Sequence, residues 1–234
     1  MTVSLKQMLK SRLLPSDEGL IGAARVLATE LQIKLTRSST KPFQALREGR
    51  DLRINLGCGS DIRPGWVNID LGLGYKTTLR GERVFVAYDL RRGMPLAAGS
   101  CSYIYSSHFF EHLEYRQGLR LMADCHRALE LGGRFRIALP NYRALFAAYL
   151  RGEHGMFDLL THEIDEPASR QLADYMTYIV YQHGEHKCIY DEERLTHALC
   201  SVGFSKAESV SYQAGVDPDT ELRRRYSFYV EAVR

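Results

Sequence analysis

The sequence predicts an α/β fold built on a mostly parallel sheet. Three observations lead there. Short apolar runs recur from residue 53 onward. The first three of them end in a glycine or an acid: RINLG (53–57), VNIDL (67–71) and RVFVAYDL (83–90). Segments with helical spacing then alternate with the later runs, and such alternation builds parallel sheets.

Taken in order, residues 3–14 place Val3, Leu5, Met8, Leu9 and Leu13 near one helical face. Pro15, Ser16 and Asp17 stop that helix and cap the next. A second helical pattern follows over 18–36 in Leu20, Ile21, Val26, Leu27 and Leu31. TRSSTKP (36–42) reads as a linker, so residues 1–49 are expected as a helical extension and 50–234 as the main domain. SYIYSSH (102–108) is the fourth strand. Leu113, Leu119, Leu121, Met122, Cys125 and Leu129 then mark a helix that LGG is expected to stop, with glycine after the last turn. RFRIALP (134–140) is the fifth strand, and residues 142–182 read as mainly helical and rich in aromatics. DEERLTHALCSVGF (191–204) is a helix ending in glycine, and AESVSYQ (207–213) and YSFYVEAVR (226–234) read as closing strands.

Composition narrows the class. The chain has 234 residues, 45% hydrophobic and 25% charged, which suits a packed globular core. A net charge of +3 is too mild to argue for nucleic acid. Residues 1–50 carry nine Lys/Arg against four Asp/Glu, giving +5 there and −2 in the remainder. A solvated helix face is the plainer reading of that arm; docking on a membrane surface or a partner is the sharper one. Five cysteines without a C-x-x-C suggest neither a disulfide framework nor a zinc ribbon. Free thiols fit a reducing cytosol. No apolar run is long enough to cross a bilayer, and MTVSLKQMLKSRLL lacks a signal-peptide core, so a cytoplasmic protein is expected.

Ligands of open α/β sheets sit at the carboxyl ends of the strands. The first strand ends in NLGCGSD. Gly57 can take backbone angles that a side chain forbids, and Gly59 permits close approach of a ligand. A dinucleotide fingerprint wants glycine at position 62, where Ile62 stands, so NAD is disfavoured. A lone G-x-G is more often an ordinary turn. Asp70, ending the second strand, can accept both hydroxyls of a ribose. Asp89, ending the third, can accept an exocyclic amine while Leu90 covers a flat ring. Each acid alone reads as a loop residue or helix cap; together with the glycine loop they describe a pocket for an adenosine without a pyrophosphate.

INLGCGSDIRPGWVNIDL, DLRRGMPLAAGSCSYIYSSHFFEHL and ALELGGRFRIALPN resemble successive motifs of class I S-adenosylmethionine (SAM)-dependent methyltransferases, most of all the small bacterial type 11 kind with a compressed first motif. GEHKCIYDEERLTHALCSVGF and YSFYVEAVR resemble that group's C-terminal motifs, so the likeness covers roughly residues 50–234. It implies a seven-stranded Rossmann-like sheet of order 3-2-1-4-5-7-6 with the seventh strand antiparallel and helices on both faces. SAM is the implied cofactor. The implied contacts are Asn55, Gly57, Cys58, Gly59, Asp70, Leu71, Asp89, Leu90 and Ser107: the glycine loop for the methionine part, Asp70 for the ribose, Asp89 for the adenine amine. There are departures. Asn55 replaces the usual acid of the first motif, which points to a neutral or water-mediated contact. Tyr103 stands where an Asp is frequent. Asp70 follows Gly57 by only thirteen residues, too few for a full crossover helix.

SSHFFEHL (106–113) spells H-x-x-E-H, which is also a zinc-ligand signature of one metallopeptidase group. That reading needs both histidines inside a helix, yet a strand pattern runs directly into His108. A zinc hydrolase is therefore the rival reading, and no metal is expected. The resemblance puts His108 at the strand end near the sulfonium and Glu111 and His112 in the first helical turn. Glutamate is favoured near a helix N-terminus by the dipole, and His112 is expected to pack or to fix the loop. An alcohol acceptor needs a base. His108 is the first candidate and His186 the second, with His183 and Glu185 behind them; an ordinary structural role is as common for each.

The acceptor is less legible. Amine methylation of bases or glutamine commonly follows a strand four ending in an acid or Asn, then Pro-Pro and an aromatic, and Ser106-Ser107-His108-Phe109 differs. The Arg223–Arg225 run reads as solvated. Residues 142–189, with Tyr142, Phe146, Tyr149, Phe157, Tyr175, Tyr178 and Tyr181 and with His154, His162, His183 and His186, are expected to form an acceptor-binding cap. Aromatics with polar tips suit sugars, though they also pack helices. The expected activity is O-methylation of a small molecule or a sugar or glycan hydroxyl, in a polysaccharide-synthesis setting. A non-catalytic binding module is the third reading.

Overall fold

Seven strands form one sheet in the order β3-β2-β1-β4-β5-β7-β6. The computed structural model describes residues 20–46, 49–72, 76–81, 83–160 and 171–234. The strands are β1 (Leu52–Leu56), β2 (Val67–Asp70), β3 (Val84–Ala87), β4 (Cys101–Ser107), β5 (Leu129–Pro140), β6 (Lys206–Val210) and β7 (Ser227–Val233). The first five pair in parallel, and β7 runs antiparallel to both β5 and β6. This is the order and the antiparallel last strand that the resemblance implies.

The central strands are apolar runs because they are covered on both faces. Ile54 and Leu56 of β1, Ile104 of β4 and Phe135 and Ile137 of β5 are all fully buried. The edge strand β6 differs, exposing Lys206 and Glu208 as a sheet edge should. No helix occupies residues 57–66, so β1 passes to β2 through a loop, as the short spacing requires.

Helix α3 (Tyr115–Ala128) follows β4, with α1 (Leu20–Thr36) and α2 (Lys41–Ala45) preceding the sheet. Glu114 and Gln117 form a reciprocal capping box at the α3 start. Leu121, Met122, Cys125 and Ala128 make its buried stripe. Its end departs from expectation. The helix stops at Ala128, before the LGG glycines, because Leu129 is fully buried and already pairs with Cys101. The register then shifts and pairing resumes at Arg134 with Tyr103, so Gly132 serves the strand entry and not the helix end.

Between β5 and α6 (Glu192–Ser201) come α4 (Tyr142–Arg151), a 3-10 stretch (His154–Leu160) and α5 (Leu172–Tyr181). They share a small core of their own that includes Leu145, Phe157, Tyr175 and Ile179. Phe157 and Tyr175 stack at 5.5 Å between ring centres. Most of the cap aromatics thus pack helices. Two elements were not expected: α2, which begins in the last two residues of the expected linker, and α7 (Glu221–Tyr226), capped by Thr220. The expected helix over 3–14, its Pro15–Asp17 boundary and His162 lie outside the described residues. The chain divides into two compact units, one ending at Ser39 and one beginning at Thr40.

Candidate active site

The parallel strands bring their carboxyl ends to one level. Leu56 pairs with both Ile69 and Ser106, Asp70 with Ala87, and Ser107 with Ala138. The loop after β1 starts on this edge. Gly57 N–H donates to the Ile69 carbonyl at 2.8 Å, and Gly59 N–H donates to Asp70 Oδ2 at 3.0 Å. Gly57 has φ +59, and a Cβ there would lie 2.2 Å from the Phe109 ring. Phe109 of the HFFEH stretch is therefore packed onto the glycine backbone. At Gly59, φ +51, an added Cβ would meet nothing within 4 Å.

The two acids are already engaged. Asp70 accepts from Gly59 N–H and Gly72 N–H, leaving about two of its four lone-pair positions. Asp89 caps the 3-10 turn Leu90–Arg92 and takes Arg91 in a forked pair at 2.9 and 3.1 Å. Asn55 is buried, its amide donating to the Asp61 carbonyl and to Asn68, so it braces the loop from beneath. Burial pushes the Cys58 thiol up to about 12, with Asp70 adding to the shift, which keeps it neutral. Leu90 lies in the main core, and Leu71 is half-buried. Ser107 Oγ is buried with no aligned partner among the described residues.

Strand β4 ends at Ser107, and His108 turns the chain with φ +49, a left-handed conformation unusual for a residue with a side chain. A 3-10 turn over Phe110–His112 follows, and the α-helix begins only at Tyr115. Glu111 and His112 thus precede the helix instead of forming its first turn. His108 Nε2 lies 2.8 Å from Ser227 Oγ, and its Nδ1 lies 3.5 Å from Glu111 Oε1. Burial pushes the His108 pKa well below its ordinary value, with Arg223, His186 and His112 adding to the effect.

Glu111 is not an exposed helix-cap acid. It is 1% exposed, and neither carboxylate oxygen has an aligned donor; the 3.5 Å approach to His108 is too poorly aligned to count. Burial raises its pKa to about 8. Burial lowers His112 and His186 as well. His186 arrives because Lys187 and Cys188 donate their backbone N–H groups to the Glu111 carbonyl. The His112 and His186 rings meet edge to face at 4.9 Å.

A cavity of about 260 Å³ opens above these groups. His108, Glu111, His112, His186, Gln182 and Arg223 give its polar lining; Leu145, Leu160, Ile179 and Leu222 give the apolar part. Both candidate bases therefore share one pocket, whereas Glu185 is exposed and does not line it. Arg223, read above as part of a solvated run, lines the cavity instead. The cause is topological. Strand β7 is antiparallel, so its first residue, Ser227, pairs with Pro140 at the carboxyl edge, and the short helix before it must sit over the pocket. Thr220, an N-cap residue three before Arg223, was the available signal for that helix.

No family model and no curated protein matches this chain. Solved structures do. A SAM-dependent methyltransferase from Archaeoglobus fulgidus aligns over 99% of this chain and 100% of its own, with TM-score 0.50 and 14% identity. The chain has the class I methyltransferase fold. Another SAM-dependent methyltransferase, from Mesorhizobium loti, aligns over 82% of this chain and 95% of its own, with TM-score 0.45 and 19% identity. On this methyltransferase fold the glycine loop, Asp70 and His108 all stand on the ligand-bearing edge of the sheet, and the histidine-lined cavity opens beside His108. Among the described residues no helix is long and apolar enough to cross a membrane.

Proposed function

We propose that the protein is a SAM-dependent methyltransferase that methylates a hydroxyl of a small molecule or glycan. The observation that supports this is the placement, at one carboxyl edge of the sheet, of a glycine loop clamped to Asp70 with open space at Gly59 and of a histidine-lined cavity that includes His108. The residues present fit the cofactor. Among the described residues a Cβ at Gly59 would meet nothing within 4 Å, Asp70 keeps lone pairs for a hydroxyl pair, and Ser107 Oγ is buried with no aligned partner. Gly57, Cys58 and Gly59 would face the methionine part, Asp70 and Leu71 the ribose, and Asp89 and Leu90 the adenine. Asp89 has one lone-pair position left after its pairing with Arg91 and the Arg91 backbone N–H.

Bound SAM supplies an electrophilic methyl group with its own leaving group. The chain must orient the acceptor oxygen and take its proton. His108 directly follows β4 at that edge and lines the cavity. With Nε2 donating to Ser227 Oγ, its Nδ1 would keep a lone pair on the Glu111 side, which supports His108 as the base. His186 lines the same cavity but its Nδ1 lies 2.7 Å from the Ile179 carbonyl, which fits a role on the acceptor side. The mixture of Tyr178, Gln182 and histidines with Leu145 and Ile179 suits a ring bearing hydroxyls.

Calorimetry tests the reading. SAM or S-adenosylhomocysteine binds, and Asp70→Ala weakens binding by about 10- to 100-fold, the worth of hydrogen bonds to a charged group. No binding at millimolar cofactor would sink it.

A further inference from the structure

We propose that Glu111, His112 and His186 form a site for one divalent transition-metal ion of the zinc class, on the wall of the histidine-lined cavity. The ligating atoms of these three residues all lie within 4.8 Å of one another. Ligands bonded at about 2.1 Å to one tetrahedral ion stand about 3.4 Å apart, so side-chain rotations of about 1 Å would draw the three atoms together around it.

Glu111 supplies an independent reason. Its carboxylate is 1% exposed, lines the cavity and has no aligned hydrogen-bond donor from another described residue on either oxygen. A buried polar group without a partner is unfavourable and calls for an explanation such as an ion. Arg223 lines the same cavity but does not bond it. A cation held between Glu111 and the two imidazoles meets that unsatisfied group directly.

The outer contact of His186 fits ligation. His186 Nδ1 lies 2.7 Å from the Ile179 carbonyl, which can only accept, so Nδ1 carries the proton and Nε2 carries the free lone pair. Metal-binding histidines characteristically donate their second N–H to a carbonyl in this way. The triangle is also held by backbone. Glu111 and His112 are neighbours, and the Glu111 carbonyl accepts from Lys187 and Cys188 beside His186.

One carboxylate and two imidazoles select zinc, cobalt, iron, nickel or manganese over magnesium and calcium, which prefer all-oxygen sets. Three protein ligands leave a position open for an outside oxygen. His108 lies outside this set of three. The set therefore differs from the His108–His112 pair that the H-x-x-E-H spelling suggests, and it revises the expectation of no metal. If the cavity is the acceptor site proposed above, an ion here would hold an acceptor hydroxyl oxygen and lower its pKa. Only that role rests on the methyltransferase reading; metal binding does not.

The test is a cobalt titration of the full-length chain after chelator treatment. One equivalent of Co²⁺ binds with visible d–d bands, zinc displaces it and magnesium does not. Glu111→Gln and His112→Ala each weaken binding by more than about 100-fold, since even outer contacts cost 10–100-fold. His154→Ala and His197→Ala, at exposed positions, leave it unchanged. His186→Cys adds a thiolate-to-cobalt charge-transfer band in the ultraviolet, a signature that keeps the test decisive if the other variants fold poorly. No stoichiometric cobalt in the intact chain overturns the proposal. So does cobalt that binds identically in Glu111→Gln and shows no new band in His186→Cys. Calorimetry with S-adenosylhomocysteine reads the cofactor site separately, so the two readings fail independently.

Discussion

At the scale of single residues, the two glycines of the β1 loop separate a folding role from a binding one. Both have positive φ, so a side chain at either costs about 1–2 kcal/mol of backbone strain. Only Gly57 also faces a wall, the Phe109 ring 2.2 Å from a hypothetical Cβ. Overpacking adds about 1–3 kcal/mol there. Gly57→Ala should therefore lower unfolding free energy by about 3 kcal/mol or more, and Gly59→Ala by no more than about 2. Calorimetry should rank them differently: Gly59→Ala stays folded and loses affinity for S-adenosylhomocysteine, because its new methyl group projects into the open space over the loop. Equal stability losses in urea melts would show that Phe109 yields easily. Glu111 makes the complementary point. Its place in the sequence, close before a helix, suggests a surface acid favoured by the dipole, and only the fold reveals that both oxygens are buried.

At the scale of elements, one buried ion pair ties the sheet to the loop beside the pocket. Arg136 at the middle of β5 and Asp217 in the β6–α7 loop form a forked pair, Nε to Oδ1 at 2.9 Å and Nη2 to Oδ2 at 2.5 Å. Their side chains are 2% and 0% exposed. Removing one partner strands a buried charge, so Asp217→Ala should cost about 3–5 kcal/mol, while a double change to Arg136→Met and Asp217→Leu should cost far less. Denaturant melts of both singles and the double measure the coupling, and additive losses would refute it. Neither residue announces itself in the sequence, since a charge on a strand usually marks a solvent face. The same logic divides what was legible from what was not. Strands β1, β2 and β3 could be read because an apolar run broken by glycine or aspartate has few other meanings. The end of α3 could not, because Leu129 suits helix and strand alike and its pairing with Cys101 decides. Helix α7 was hidden by its three arginines, which read as solvent-facing until the antiparallel β7 carried Arg223 over the cavity. His108 and His186 could be named from the sequence, but their shared cavity with Glu111 and His112 depends on backbone bonds between residues 111 and 187–188.

At the scale of the whole molecule, the question is where the unit that bears the site begins. A reading by composition starts it near residue 50, after the linker, whereas the compact unit starts at Thr40. The difference rests on α2. Phe43 is 1% exposed, belongs to the main core and meets Tyr88 edge to face at 4.8 Å between ring centres. Tyr88 directly precedes Asp89, so this contact supports the strand end expected to meet the adenine. The helix Leu20–Thr36 belongs to the other unit. A chain starting at Thr40 should therefore unfold in one cooperative transition with the slope and midpoint of the full-length sheet unit. A chain starting at Asp51 lacks Phe43 and should lose about 3–5 kcal/mol, the cost of truncating a buried phenylalanine. Phe43→Ala in the full-length chain should reproduce most of that loss. If the chain starting at Asp51 matches the one starting at Thr40 in midpoint, and Phe43→Ala is neutral, then α2 is a passenger and the domain does begin after it. If instead the loss appears, the stretch TRSSTKP joins no separate linker to the sheet but ends directly in its first structural contact.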